Sequence, residues 1–420
     1  MYSCFAAYKR TCKCNNFHNI IKIGAIFTYI LILFAVLFKM NIFKPNIFIA
    51  AEPVTNSEKT VEEELSQSTS EVLDDINFSE LEDLVSCIDF DFFNGKTFKQ
   101  YVKDVIDGKE DFDISDFFQI IKTLILKNIK SIISPLLIVL CVALLCVLFS
   151  NMQSGKIGQQ LEIVYLICFS VVVIIVSVII SKLVFNSKNG IVKMQKNMNA
   201  IFPILLLLMS NMGGAISAKA YTPLVSVLSN IISNIFVYFL LPLFSLSLVL
   251  SIISHISSNT KLNKLNGFIK SLFKWVIGSV CAVFMGYLAI KGFTAGASDG
   301  ISIKATKYAI KNYVPILGGY ISEGFELVKA GSMIVKNAIG FVGSLIILFI
   351  SLLPILSIAI CELGLKLISG ILEPVGATKT ANLLDSISGS LKLLSAIVIG
   401  VAVMYFLTIY LITCTAVNII

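Results

Sequence analysis

Arginine is almost missing from this chain: Arg10 stands alone beside 32 lysines in 420 residues. Bidentate arginine clamps on phosphate or carboxylate are therefore excluded as a general device. Charge of either sign is scarce, at 14% of residues against about a quarter in a soluble domain. Hydrophobic residues make up 56%, and the mean hydropathy is +0.88. This balance excludes an ordinary soluble protein and assigns an integral membrane one. The two histidines, His18 and His255, have no metal-ligand spacing, so no metal is expected. Among the ten cysteines, Cys141, Cys146, Cys168, Cys281, Cys361 and Cys414 lie in apolar runs, where cysteine acts as a small hydrophobe. Walker A, G-x-S-x-G and H-E-x-x-H motifs are all absent. No enzyme, no cofactor and no nucleic-acid partner is expected.

The charges that exist are segregated. Glu52 to Asp116 holds 19 acids and 5 lysines, a net of −14, and the rest holds 28 basic and 7 acidic residues, a net of +21. An acidic soluble segment is thus joined to a basic membrane part, with its lysines at membrane interfaces. Residues 1–51 read as a signal peptide or signal anchor: Lys9, Arg10, Lys13 and Lys22 precede the apolar run Ile23 to Phe38. The N-terminus is then cytoplasmic and 52–131 is exported as an acidic helical domain. Thr55 to Ser70 is polar and expected to be flexible. Ser79 with Glu82 and Thr97 with Gln100 have capping-box spacing, and Gly108 is a C-cap glycine.

From 132 to 420 the pattern predicts an all-α, polytopic helical bundle of six to eight segments. Apolar runs at 132–149, 161–184, 231–253, 268–290, 339–361 and 391–414 are each long enough to cross a bilayer. Two further stretches are odd. Asn199 to Gly214 is apolar but short, and Ser298 to Ser332 is glycine-rich and amphipathic. They echo each other: "FPILLLLMSNMGGAIS" holds Pro203, Gly213 and Gly214, and "VPILGGYIS" holds Pro315, Gly318 and Gly319. A shift of 112 residues also superposes Pro242 on Pro354, so 199–290 and 311–410 read as a possible internal duplication. Proline removes a backbone donor and a glycine pair permits a turn or close approach. Irregular backbone at membrane depth must be covered by protein or line a wet cavity. The stretches are therefore candidate broken segments, or else helix-packing sites of the kind common in membrane proteins.

The densest polar cluster surrounds the second stretch. Asp299 is placed to cap a helix near Ile301. Lys304, Lys307 and Lys311 recur at helical spacing, and Glu323 and Glu326 follow. Buried together, these charges mark a polar pathway; lying on the surface, they make an interfacial helix. Glu362, Glu373 and Asp385 read as isolated interfacial acids.

The stretch "DGISIKATKYAIKNYVPILGGYISEGFELVKAGSMIVKNAIGFVG" (299–343) resembles the signature region of the stage III sporulation protein AE family. "FIKSLFKWVIG" (268–278), "LEPVGATKTANLLDSISGSLKLL" (372–394) and "YVKDVIDGKEDFDISDFFQ" (101–119) are similar to other blocks of that family. Ser322-Glu323 stands where the family pattern has Ser-Asp. The resemblance implies a polytopic component of the mother-cell membrane around the engulfed forespore. It implies partners among the other stage III A-operon membrane and ring proteins, an ATPase of the same complex and, indirectly, the forespore stage II protein Q. The implied role is a pore or export gate; the alternatives are a non-conducting membrane base or an independent secondary transporter. The family brings no catalytic residues.

Overall fold

The structure, a computed structural model, describes residues 58–86, 95–109, 114–151, 158–223, 229–256, 262–313 and 318–415. The signal region 1–51 and Pro315 lie outside them. The chain divides after Val61. Of the first unit only Glu58–Val61, an opening helical turn, is described, and everything below concerns Glu62 onward. All regular structure among the described residues is helical, with no strand.

Three short helices open the described chain: α1 (Glu58–Asp74), α2 (Ser79–Ser86) and α3 (Phe98–Ile106). The stretch read as a flexible start is helical from Glu58. Phe78, Leu81, Phe98, Tyr101 and Val102 are buried, and the rings of Phe78 and Phe98 lie 5.4 Å apart. The capping box at Thr97 forms: the Gln100 N–H donates to Thr97 Oγ1 and the Thr97 N–H to Gln100 Oε1. The expected box at Ser79 does not. The helix begins one turn position earlier, because the Glu82 N–H donates to Phe78 O and Asn77 Oδ1 takes the Ser79 N–H. Gly108 closes α3 at φ 66°, with its N–H on Val105 O and that of Lys109 on Asp104 O. This is a Schellman end, whose left-handed residue suits glycine.

The remainder is built from long helices: α4 (Ile114–Asn151), α5 (Gly158–Asn211), α6 (Ala215–Pro223), α7 (Asn230–Asn234), α8 (Leu241–Ile256), α9 (Asn263–Tyr313), α10 (Gly318–Val375) and α11 (Thr378–Thr415). A π-helical segment, Ile235–Leu240, joins α7 to α8. Pro242 follows it; a proline cannot donate to the preceding turn, and a wider turn relieves the crowding. Six stretches are long and apolar enough to cross a membrane by length and composition. They are Lys122–Leu148, Ile163–Asn211, Asn230–His255, Lys264–Leu288, Gly324–Val375 and Thr378–Cys414. Each contains or overlaps one of the apolar runs read from the sequence. This is the architecture of an all-α, multi-pass membrane protein.

Several sequence expectations change at this level. Asn199 to Gly214 is no separate segment but the end of α5, which runs 54 residues through Pro203. Gly213, at φ 87°, ends it: its N–H meets Ser210 O, and that of Gly214 meets Met209 O. The segment 298–332 is likewise no element of its own. Its first part completes α9 and its last part opens α10, so Asp299 lies inside a helix and caps nothing. A few glycines cost about 1 kcal/mol each, too little to stop a helix already propagating on both sides. Residues 314–317, Pro315 among them, lie outside the described residues. Of the two echoing stretches only the first is described throughout, and its Pro203 is inside a helix.

The centre of the molecule is the antiparallel hairpin of α10 and α11. Gly376, at φ 100°, makes its turn, with its N–H on Glu373 O and that of Ala377 on Leu372 O. Ser369 Oγ donates to Ala381 O at 2.7 Å, and Ser388 Oγ to Glu362 O at 3.2 Å. Glu362 is therefore not an isolated interfacial acid; its carboxylate is 3.8 Å from Lys392 Nζ of α11. α5 runs antiparallel to α10, with Gly190 against Pro354 and Asn197 bonded to Gly343 O. Leu136 of α4 packs on Gly364.

Candidate functional site

The residues singled out in the sequence are distributed over three helices. Pro203 is exposed on α5, and Gly213 and Gly214 close that helix. Asp299, Lys304, Lys307 and Lys311 ride on the last part of α9, where the three lysines share a face by helical register. Gly318, Gly319 and Glu323 belong to the first turns of α10. From 291 to 323 the side chains lie outside the described residues, and Pro315 does so entirely. Glu326 is exposed one residue before Leu327, whose carbonyl accepts from Ser68 Oγ of α1 at 3.4 Å. Gly331 makes room for that contact, since a Cβ there would touch Ser68. The acidic helices are thus seated on the N-terminal end of α10.

A different polar site emerges slightly further along α10. Lys336 is fully buried, and its ammonium donates to Thr413 O at 3.0 Å and Ile412 O at 3.4 Å. These carbonyls lie near the end of the described part of α11. The ammonium gives both a donor from a neighbouring helix. The approach is close because residue 340, one turn on, is glycine: a methyl there would press on Thr413 Oγ1. Across the α5 face, Asn197 Nδ2 donates to Gly343 O at 3.2 Å. The buried Oδ1 of Asn197, Oγ of Ser332 and Oδ1 of Asn337 have no partner among the described residues. Buried polar atoms in this condition are places for ordered water or a polar solute. Nearby, Tyr405 OH of α11 donates to Ser229 O at 3.0 Å, and Gln195 Nε2 of α5 to Asn230 Oδ1 at 2.6 Å.

The sequence carried a signal for this site that composition alone obscures. Ser332, Lys336, Gly340 and Ser344 recur every four residues, a small-and-polar line along one face of α10. A single lysine on such a line points to a buried partner rather than to solvent. No group of three or more potential metal ligands occurs among the described residues.

Ion pairs are local in the acidic helices. Lys99 meets Asp74 and Lys96 meets Asp104, each at 2.8 Å. The hydrogen bond from Lys99 holds Asp74 below the usual aspartate range, and that from Lys96 does the same for Asp104. Asp107, 2.8 Å from Lys109, raises the lysine above its ordinary value.

Comparison with known proteins agrees with the resemblance noted above. The family described as stage III sporulation protein AE matches residues 96–416. A curated relative of that description, from Bacillus subtilis (strain 168), is 29% identical over 209 residues. The match covers 50% of this chain and 52% of the relative, so the two align over about half their lengths. No solved structure matches.

Proposed function

Because this chain belongs to the stage III sporulation protein AE family, we propose that it is a membrane component of a transenvelope, channel-like complex between mother cell and forespore, needed for endospore formation. In this reading it is a pore or export-gate subunit and not an enzyme. It resides in the mother-cell membrane around the forespore, with the acidic helices exported. Its partners are the stage III A-operon membrane and ring proteins with their ATPase, and through them stage II protein Q.

The observation that carries the gate reading is the polar core where α5, α10 and α11 meet. A buried ionisable side chain and three polar atoms without a partner among the described residues lie on α5 and α10, and the buried lysine reaches α11. Stability alone does not call for this, since apolar residues there avoid the desolvation cost. The test is Ser332→Ala with Asn337→Leu in sporulating cells. Both changes remove unpaired polar atoms and leave Lys336 in place, so folding is kept. The expected result is normal protein amount and normal co-purification of partners, with few heat-resistant spores. Normal sporulation would overturn the gate reading.

The seating of α1 on α10 favours a second reading, a membrane base that recruits ring proteins and conducts nothing. Loss of co-purification on displacing α1, by Gly331→Leu, is its expected mark.

A further inference from the structure

The six apolar stretches differ in how far the chain encloses them, and Lys264–Leu288 of α9 is the least enclosed. One line along that helix carries an uncompensated charge. Gly267, Ser271, Lys274, Gly278, Ala282 and Met285 follow one another at intervals of three and four residues, so they share one face. All six are exposed. A Cβ at Gly267 or Gly278 would meet nothing within 4 Å, so no described neighbour lies over the line. Phe268 and Trp275, 64% and 72% exposed, stand to one side of it. Between them the line is shallow, and a helix laid along it comes close to the α9 backbone.

Lys274 is the residue that asks for a partner. It is the eleventh of the 25 residues of the stretch, about 15 Å from one end and 21 Å from the other. Lys270 lies one turn before it and adds a like charge, which is unfavourable at this spacing. No acid occurs anywhere from 163 to 298. α9 packs on α6, α8, α10 and α11. Neither α6 nor α8 carries an acid, and Glu362 of α10 already meets Lys392. Asn266 of α9 bonds Ser247 of α8 at 2.8 Å, and Ser251 bonds Ser386 of α11 at 2.6 Å. Counted along the helices, Asp385 is then about 18 Å from Lys274. Among the described residues Lys274 has no hydrogen-bond or ion-pair partner. Lys336 and Lys392, by contrast, meet carbonyls and a carboxylate within the chain. A lysine facing lipid near the middle of a span costs about 2.5–3.5 kcal/mol. A carboxylate at the same depth offsets that cost, because opposite charges attract strongly at low dielectric.

We propose that this face of α9 is the docking site for a membrane helix of another protein, one that carries an aspartate or glutamate at the depth of Lys274. Charge complementarity selects such a helix over a second copy of this chain, whose matching face brings the same lysines. The inference rests on the reading that the chain works with other membrane proteins, and it names the chemistry of one of them. It holds for a conducting or a non-conducting subunit.

The test uses the full chain in sporulating cells, where its membrane partners are present. A photo-cross-linking amino acid at Ser271, one step along the line from Lys274, reports what covers the face. The expected product joins position 271 to a membrane helix of another protein, within about two helical turns of an Asp or Glu. Lys274→Glu should lower its yield by roughly tenfold or more, and changing the partner's acid to lysine should restore it. Gly278→Leu is the second variant. Its side chain enters open space, so the melting midpoint of the purified chain is not lowered while the cross-link is lost. Products with lipid alone, or with a second copy of this chain, overturn the proposal. So does a cross-link that survives both substitutions, or one to a helix without an acid. Ser332→Ala with Asn337→Leu should leave this cross-link in place, which separates the docking site from the gate reading.

Discussion

Lys336 is the residue on which the α10–α11 contact turns. Its replacement by methionine keeps the volume but removes the donor that reaches the carbonyls of Ile412 and Thr413. A loss of about 1.5–3 kcal/mol is expected, the worth of a hydrogen bond from a charged group. Thermal unfolding in detergent, followed by circular dichroism, measures it; an unchanged midpoint would mean that the ammonium contributes little to the fold. Gly376 is held by backbone conformation instead of contact. At φ 100° an alanine is strained, so Gly376→Ala should lower stability by about 1 kcal/mol or more. Both roles were partly legible. The four-residue line through Lys336 and the Pro-Val-Gly end of α10 are sequence features. The partners at the far end of α11, 76 and 77 residues away, are not.

At the scale of elements, the hairpin is pinned near its middle by Glu362 and Lys392, 27% and 14% exposed on the lysine and acid sides respectively. Either single reversal, Glu362→Lys or Lys392→Glu, places like charges together and should lower the melting midpoint. The double swap should recover part of the loss, and failure to recover would mean that the pair is incidental. The acidic helices respond to pH in a defined direction. Asp74 and Asp104 have lowered folded-state values, so their contribution is complete above the ordinary aspartate value of about 3.9 and is lost as pH falls through the lowered ones. Lys109 is raised, so its contribution is complete below the ordinary lysine value and is lost only in strong base. Hydrogen-exchange protection of the 98–106 amides, corrected for intrinsic rates, should be flat through neutrality and fall in acid. These pairs are exposed, and the effect is small. Helix ends fared unevenly from sequence. Thr97 and Gly108 kept the roles their spacing gives them, because neighbours on the chain decide a cap. Ser79 and Asp299 did not, because one helix began earlier and the other never stopped.

At the scale of the whole molecule, the charges of 307–326 test whether the ends of α9 and α10 belong to a passage. Reversing Lys307, Lys311, Glu323 and Glu326 together should abolish spore formation while the partners still co-purify. Normal spores, or failed assembly, would remove these residues from any pathway. Their helical placement leaves Lys304, Lys307 and Lys311 on one face of α9, which both a passage and a surface helix require.

The sequence by itself determined the class of protein, the six apolar stretches, the acidic segment before them and the family. Each of these follows from composition, period or local motif, and none needs a distant contact. Tertiary structure decided how far each helix runs, which polar groups are buried and which apolar runs meet protein instead of lipid. Hydropathy reports only that a stretch avoids water. The run 337–361 of α10 and the run 163–181 of α5 are equally apolar to such a reading. One is covered by its neighbours nearly throughout, whereas the other buries Phe169, Val172 and Val176 and leaves Ile163, Ile167, Ile174 and Val178 exposed. That distinction depends on helix register across the bundle, which is set by contacts such as Gly190 with Pro354 and Leu136 with Gly364, and no local pattern encodes it.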